Sequence, residues 1–169
     1  MKVFIVKLLF YLFKQEILLE LIGHPKGLRT LFFTEMWERM SFYGMRGILV
    51  LFMTASLING GLEIDPVSAS AIYGIYSASV YLVALLGGWV ADRHIGQQNA
   101  ILYGGFVIML GHFLLAFTNL ETFYLGLIFI VLGTGLLKPN ISAIVGGLYE
   151  GNQHKKESGF TIFYMSINI

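Results

Sequence analysis

Glu35, Glu38, Arg39 and Arg46 stand inside one apolar segment that runs from Leu31 to about Ile58. Ionisable groups in a stretch long enough to cross a bilayer are costly to bury. They mark functional sites, and proton- or ion-coupled transport is a common use. At about 100° per residue, Glu35, Glu38, Arg39, Phe42 and Arg46 fall within about a third of the helix circumference. A single charged stripe of this kind turns to a cavity or to partner charges, not to lipid. The carboxylates of Glu35 and Glu38, at i and i+3, repel each other, while Arg39 at i+4 from Glu35 attracts. Such a cluster takes or releases a proton at small energetic cost when a neighbour moves. The plainer reading is an ion-pair network that fixes packing. Buried pairs stabilise weakly, which favours the functional reading.

Lys138 is the other intramembrane cation. It lies inside the apolar run from about Phe123 to Leu148, too far from either end for easy snorkelling. A lysine there needs a carboxylate, which is Glu38, a group elsewhere in a larger protein, or the carboxylate of a substrate. Its neighbour Pro139 lacks an N–H and removes a helix hydrogen bond. A third constellation, Gly87-Gly88-Trp89-Val90-Ala91-Asp92-Arg93-His94-Ile95-Gly96, combines glycines that permit close helix packing with a charged pair at a helix end. His112 is expected to hydrogen-bond to a neighbouring helix.

The elements that must position these groups are membrane helices. Hydrophobic residues make up 56 % of the chain and charged residues 12 %, the latter roughly half the usual share for a soluble domain. Four candidate spans are readable, at about 31–58, 67–91, 100–117 and 123–148, each of the length needed for ~30 Å of hydrocarbon. A fifth apolar segment occupies 160–169, and ten helical residues cover only ~15 Å. The expectation is therefore an N-terminal fragment, with 1–22 as an extension or an interfacial helix and 23–169 as an incomplete bundle. Lys14, Lys26 and Arg29, then Arg93, then Lys155 and Lys156 alternate with loops that carry only acidic charge. This places the N-terminus, the Arg93 loop and the Lys155 loop in the cytoplasm. The net charge of +1 and the lack of a basic tract give no sign of nucleic acid. The chain has no cysteine, so thiolate metal sites are excluded. Gly133-x-Gly135 lacks the strand context of a nucleotide loop, and no Walker or H-E-x-x-H spacing occurs. No enzyme activity, metal or cofactor is expected.

The run His24-Pro25-Lys26-Gly27-Leu28, followed by Phe33-Thr34-Glu35-Met36-Trp37-Glu38-Arg39-Met40-Ser41-Phe42-Tyr43-Gly44-Met45-Arg46, resembles the first helix of the proton-dependent oligopeptide transporters. These belong to the major facilitator superfamily, and their hallmark is E-x-x-E-R followed by aromatic residues. Met40 stands where Phe is usual, and Phe42 where Tyr is frequent. The segment Gly133 to Ser142 resembles the family's fourth helix. Phe163-Tyr164-Met165-Ser166-Ile167-Asn168 resembles its second signature, F-Y-x-x-I-N, and Gly87 to Gly96 resembles the superfamily motif between helices two and three.

The resemblance implies an all-α membrane protein, the N-terminal part of a major facilitator bundle with four full transmembrane helices and the start of a fifth. It implies import of di- and tripeptides with protons across the cell (inner or plasma) membrane, with no cofactor beyond the coupling proton. Glu35, Glu38, Arg39 and Lys138 would carry proton coupling. Arg39, Tyr43, Arg46, Tyr81, Lys138 and Asn168 would bind substrate, and Gly88, Asp92 and Arg93 would govern gating. The partners would be small peptides, the lipid bilayer and a C-terminal half that supplies the acidic site for the peptide amine. Two other readings stay open: a proton-coupled transporter of nitrate or another small anion, and a membrane interaction subunit that moves nothing.

Overall fold

The computed structural model of the chain describes residues 23–168. The expected interfacial helix at 1–22 lies outside the described residues, as does Ile169. Five long α-helices follow one another: α1 (Lys26–Thr54), α2 (Pro66–Val90), α3 (Gln97–Leu115), α4 (Leu120–Gly147) and α5 (Gln153–Asn168). A 3-10 turn, Leu57–Asn59, follows α1, and a π-helical turn, Ala91–Ile95, extends α2. Among the described residues, three helices are long and apolar enough to cross a membrane: Pro66–Ile95, Gln97–Leu115 and Leu120–Gly147. The helix α1 has 29 residues, length enough to span, but its charged residues set its composition apart. The expected four spans thus divide into three that qualify by apolarity and one by length alone.

Helix ends differ from the apolar runs for local reasons. Instead of reaching Ile58, α1 stops at Thr54, because the chain folds back on its last turn. The N–H of Ile64 donates to Met53 O at 2.8 Å, and that of Glu63 to Ala55 O at 2.9 Å. Gly60 has φ +77°, and a Cβ on Gly61 would strike the carbonyl of Ala55. At the other boundary α5 begins at Gln153, ahead of the expected start at 160. Its first turns, Gln153 to Glu157, are polar, so an apolar run does not report them.

Asp65 caps α2. Its Oδ1 accepts from the N–H of Val67 at 3.1 Å and of Ser68 at 3.0 Å. Pro66 at the first helical position has no N–H to satisfy. Hydrogen bonding from Ser68, then from Val67, holds the Asp65 carboxyl below the usual carboxylate range.

The chain divides into two compact units, Glu38–Ile144 and Met1–Trp37 with Val145–Ile169. In the first, glycines at heptad spacing bring antiparallel α3 and α4 into backbone contact. A Cβ on Gly104 would lie 2.7 Å from Gly133 O, and one on Gly111 would lie 2.9 Å from Gly126 O. Small residues at such crossings let dispersion and weak C–H···O contacts replace the hydrophobic drive that lipid cannot supply. Helix α2 meets α4 in the same way, and a Cβ on Gly87 would strike the carbonyl of Gly135. That carbonyl is the one Pro139 leaves without its helical donor. The side chain of Asn140 donates to Leu136 O at 2.6 Å and to Gly87 O at 3.5 Å. Phe42, Leu49, Met53, Tyr76, Val80 and Phe123 belong to the apolar core of this unit.

In the second unit, His24 Nδ1 and the Tyr149 hydroxyl are 2.7 Å apart, and Lys155 Nζ donates to Gly23 O at 2.9 Å. Gly159 leaves room for the Tyr149 ring, which a Cβ there would strike. Burial pushes the Tyr149 phenol up.

Two outcomes follow from this packing. Gly104→Ala should cost roughly 1–3 kcal/mol, because the obstructing atoms are backbone and have nowhere to move; a melting curve in detergent measures it. The second concerns Asp65. Its folded-state pKa lies below the unfolded value, so its stabilisation is present above the ordinary carboxylate pKa and is lost as pH falls through the lower folded value. The difference in melting temperature between wild type and Asp65→Ala should therefore be full at pH 6 and shrink on acidification through that window.

Candidate functional site

The unit Glu38–Ile144 holds most of the expected site residues. Glu38 and Arg39 are both buried, and Arg39 Nε lies 2.8 Å from Glu38 Oε2. Taking both charges from water is costly, and their attraction with further hydrogen bonds offsets that cost. One turn on, the Phe42 ring receives two cations. The Cζ of Arg39 is 5.4 Å from its centroid, and that of Arg46 is 5.5 Å away. The spacing explains this, since Arg39 is three residues before Phe42 and Arg46 four residues after it. Each guanidinium is attracted by the negative face of the ring.

Arg46 is held a second time. Its Nε donates to the Tyr73 hydroxyl on α2 at 2.7 Å, its Nη2 donates to the same oxygen, and its Cζ lies 5.1 Å from the Tyr73 centroid. On α4, Lys138 is half-buried, and its Nζ sits 4.9 Å from the centroid of Tyr81 on α2. Tyr43 and Tyr81 are themselves exposed. Tyr43 meets Phe42 edge to face, with centroids 5.6 Å apart.

Gly88, Asp92 and Arg93, the residues expected to govern gating, lie at the end of α2 and in the π-helical turn that extends it. Gly88 packs against Pro139, and a Cβ there would meet Pro139 Cβ at 3.6 Å, an ordinary contact. Asp92 Oδ1 accepts from Gln97 Nε2 at 3.4 Å. The Cζ of Arg93 lies 5.4 Å from the Trp89 ring centroid. Both charged residues are exposed.

Glu35 and Asn168 belong to the other unit. Glu35 is buried on α1. Asn168 is exposed, and its Nδ2 donates back to Tyr164 O at 3.0 Å within α5. Within the Glu38–Ile144 unit, then, Glu38 meets Arg39, Arg39 and Arg46 share Phe42, and Lys138 meets Tyr81. The apolar recess of about 410 Å³ between α2 and α4, lined by Ile72, Tyr76, Val83, Leu127 and Val131 among others, holds no charged residue. It is therefore not where the charged chemistry lies.

The sequence reads Tyr73 only as a packing aromatic of the second helix, and Phe42 as a member of the charged stripe standing where Tyr is frequent. The readable signal for Phe42 was its place between two arginines at helical spacing. Tyr73 gave no such signal, because its contact crosses from α2 to α1.

Helices long and apolar enough to cross a membrane thus accompany a buried ion pair and aromatic-held cations. Residues 98–169 match the model of the POT family, PTR2. The chain is 51 % identical over 150 residues to the peptide transporter YePEPT of Yersinia enterocolitica, covering 87 % of this chain and 29 % of that protein. It is 49 % identical over 150 residues to a di-/tripeptide transporter of Lactococcus lactis, again over 87 % of this chain and 30 % of the relative. A crystal structure of a peptide transporter POT with sulfate superposes with a TM-score of 0.84 at 52 % identity, over 87 % of this chain and 30 % of that one. Over residues 98–169 the chain matches the POT family model, and along 87 % of its length it is similar to peptide transporters. It spans about 30 % of the length of the relatives it matches.

The buried pair makes a stability prediction. Glu38→Ala removes one partner of the buried Arg39 charge and should cost roughly 3–5 kcal/mol, whereas the double change Glu38→Leu with Arg39→Leu should cost less. Chemical unfolding of the purified protein in detergent separates the two.

Proposed function

We propose that this chain is the N-terminal part of a proton-coupled importer of di- and tripeptides in the cell membrane. The observation that carries the reading is the buried Glu38–Arg39 pair beside aromatic-held cations, in a chain whose relatives are named peptide transporters. In this reading α1 spans the bilayer with the other helices, its charged stripe turned inward. The N-terminus, the Arg93 loop and the Lys155 loop lie in the cytoplasm, by the distribution of Lys and Arg.

The proposed chemistry follows from the groups present. With Glu38 ionised, Arg39 is neutralised by its neighbour. A proton taken up by Glu35 or Glu38 loosens their hold on Arg39, whose planar fork suits bidentate binding of a peptide carboxylate. Lys138 adds a point charge, positioned by the Tyr81 ring. Tyr43, Tyr81 and Asn168 offer hydrogen bonds to the peptide backbone. Glu35 is a second proton carrier on the same helix. Gly88, Asp92 and Arg93 brace the end of α2 against the neighbouring helices during the change of access. The peptide amine finds its acidic site in the part of the transporter outside this chain. Protons are the coupling ion, no other cofactor is involved, and the reaction changes no covalent bond of the substrate.

The test is Glu38→Gln in the whole protein that carries this sequence. Gln keeps size and hydrogen bonding but cannot release a proton. Uptake driven by a proton gradient should fall at least tenfold, while counterflow of labelled dipeptide, which needs only the loaded carrier to move both ways, persists. Equal loss of both activities would assign Glu38 to binding or folding. Unchanged gradient-driven uptake would remove it from coupling.

A further inference from the structure

We infer that Tyr73 and Phe42 form a clamp that fixes the guanidinium of Arg46, and that Tyr73 is a positioning residue for carboxylate recognition. The clamp stands on geometry; its consequence for transport rests on the function proposed above. An arginine side chain carries about 2 kcal/mol of rotamer entropy, which a ligand must otherwise remove on binding. Here that freedom is already restricted. The Tyr73 oxygen accepts from both Nε and Nη2, and the Arg46 Cζ lies over the rings of Tyr73 and Phe42. Phe42 and Tyr73 are on different helices, α1 and α2, so the cation is held from two elements.

The clamp also decides which edge of the fork meets a ligand. A planar guanidinium offers two bidentate edges, Nε with Nη2 and Nη1 with Nη2. The Tyr73 oxygen occupies the first. A peptide carboxylate is then met end-on, by the Nη1–Nη2 edge, with less side-chain ordering left to be done at the moment of binding. Phe42 suits the arrangement because it offers a π face to Arg39 and Arg46 without a hydroxyl that would compete with Tyr73 for their donors. A tyrosine ring at position 42 would keep the face.

Two readouts test this on the whole protein. The first needs no transport. Phenylglyoxal modifies accessible guanidiniums, and mass spectrometry gives the rate at each arginine. Tyr73→Phe keeps the ring and removes the acceptor of both bonds, and it should raise labelling of Arg46 at least fivefold, about the effect of losing one such bond. Arg93, exposed in wild type, serves as the internal standard and should not change. Phe42→Leu should raise Arg46 labelling too, and Phe42→Tyr should not. An unchanged Arg46 rate in Tyr73→Phe overturns the clamp. The second readout is dipeptide uptake, where Tyr73→Phe should raise KM about fivefold with the maximal rate kept within about twofold. A lower maximal rate at unchanged KM overturns the positioning role. If the wild-type protein takes up no dipeptide, the transport reading fails, and Arg46 labelling alone decides the clamp.

Discussion

A charge inside an apolar helix bundle has to be matched by the protein itself. This constraint shapes the unit Glu38–Ile144. Glu38 and Arg39 are buried, Arg46 and Lys138 are half-buried, and each is met by protein groups. The matches differ in kind. Glu38 and Arg39 meet as an ion pair at 2.8 Å. Arg46 is met by a phenol oxygen and two aromatic faces, and Lys138 by the face of Tyr81. An aromatic face stabilises a cation without taking its charge away.

Such matching needs helices at close and fixed separations, and glycine supplies them. The contacts of Gly104 with Gly133 and of Gly111 with Gly126 set α3 against α4. Pro139 contributes by a different route. By lacking an N–H it leaves the Gly135 carbonyl turned to Gly87, and the Asn140 side chain bridges to the Gly87 carbonyl. The same proline touches Gly88 and adjoins Lys138 in the chain. Gly88, proposed to control access, therefore lies beside the chain neighbour of Lys138, proposed to bind substrate.

The replacement of the frequent tyrosine by Phe42 has a physical sense in this setting. Its ring lies under two guanidiniums drawn from the turns on either side. The quadrupole that attracts them is a property of the ring face, which phenylalanine retains. What is lost is a hydroxyl, and in this unit the hydroxyl that Arg46 uses comes from Tyr73 instead.

The sequence by itself determined the class of the protein. Long apolar runs, sparse charge and the stripe from Glu35 to Arg46 require membrane helices with an inward polar face, because hydrocarbon tolerates little else. The spacing of Glu38, Arg39, Phe42 and Arg46 also fixed their shared face, since helical periodicity is local. Helix ends were less legible. The fold-back after Thr54 depends on hydrogen bonds between residues 53 and 64, and the polar first turns of α5 carry no apolar signal. Only the tertiary structure decided which aromatic ring meets which cation. Tyr73 and Arg46 are 27 residues apart, Tyr81 and Lys138 farther still. Those pairings depend on the rotation and depth of one helix against another, which backbone contacts at glycine and the carbonyl freed by Pro139 set.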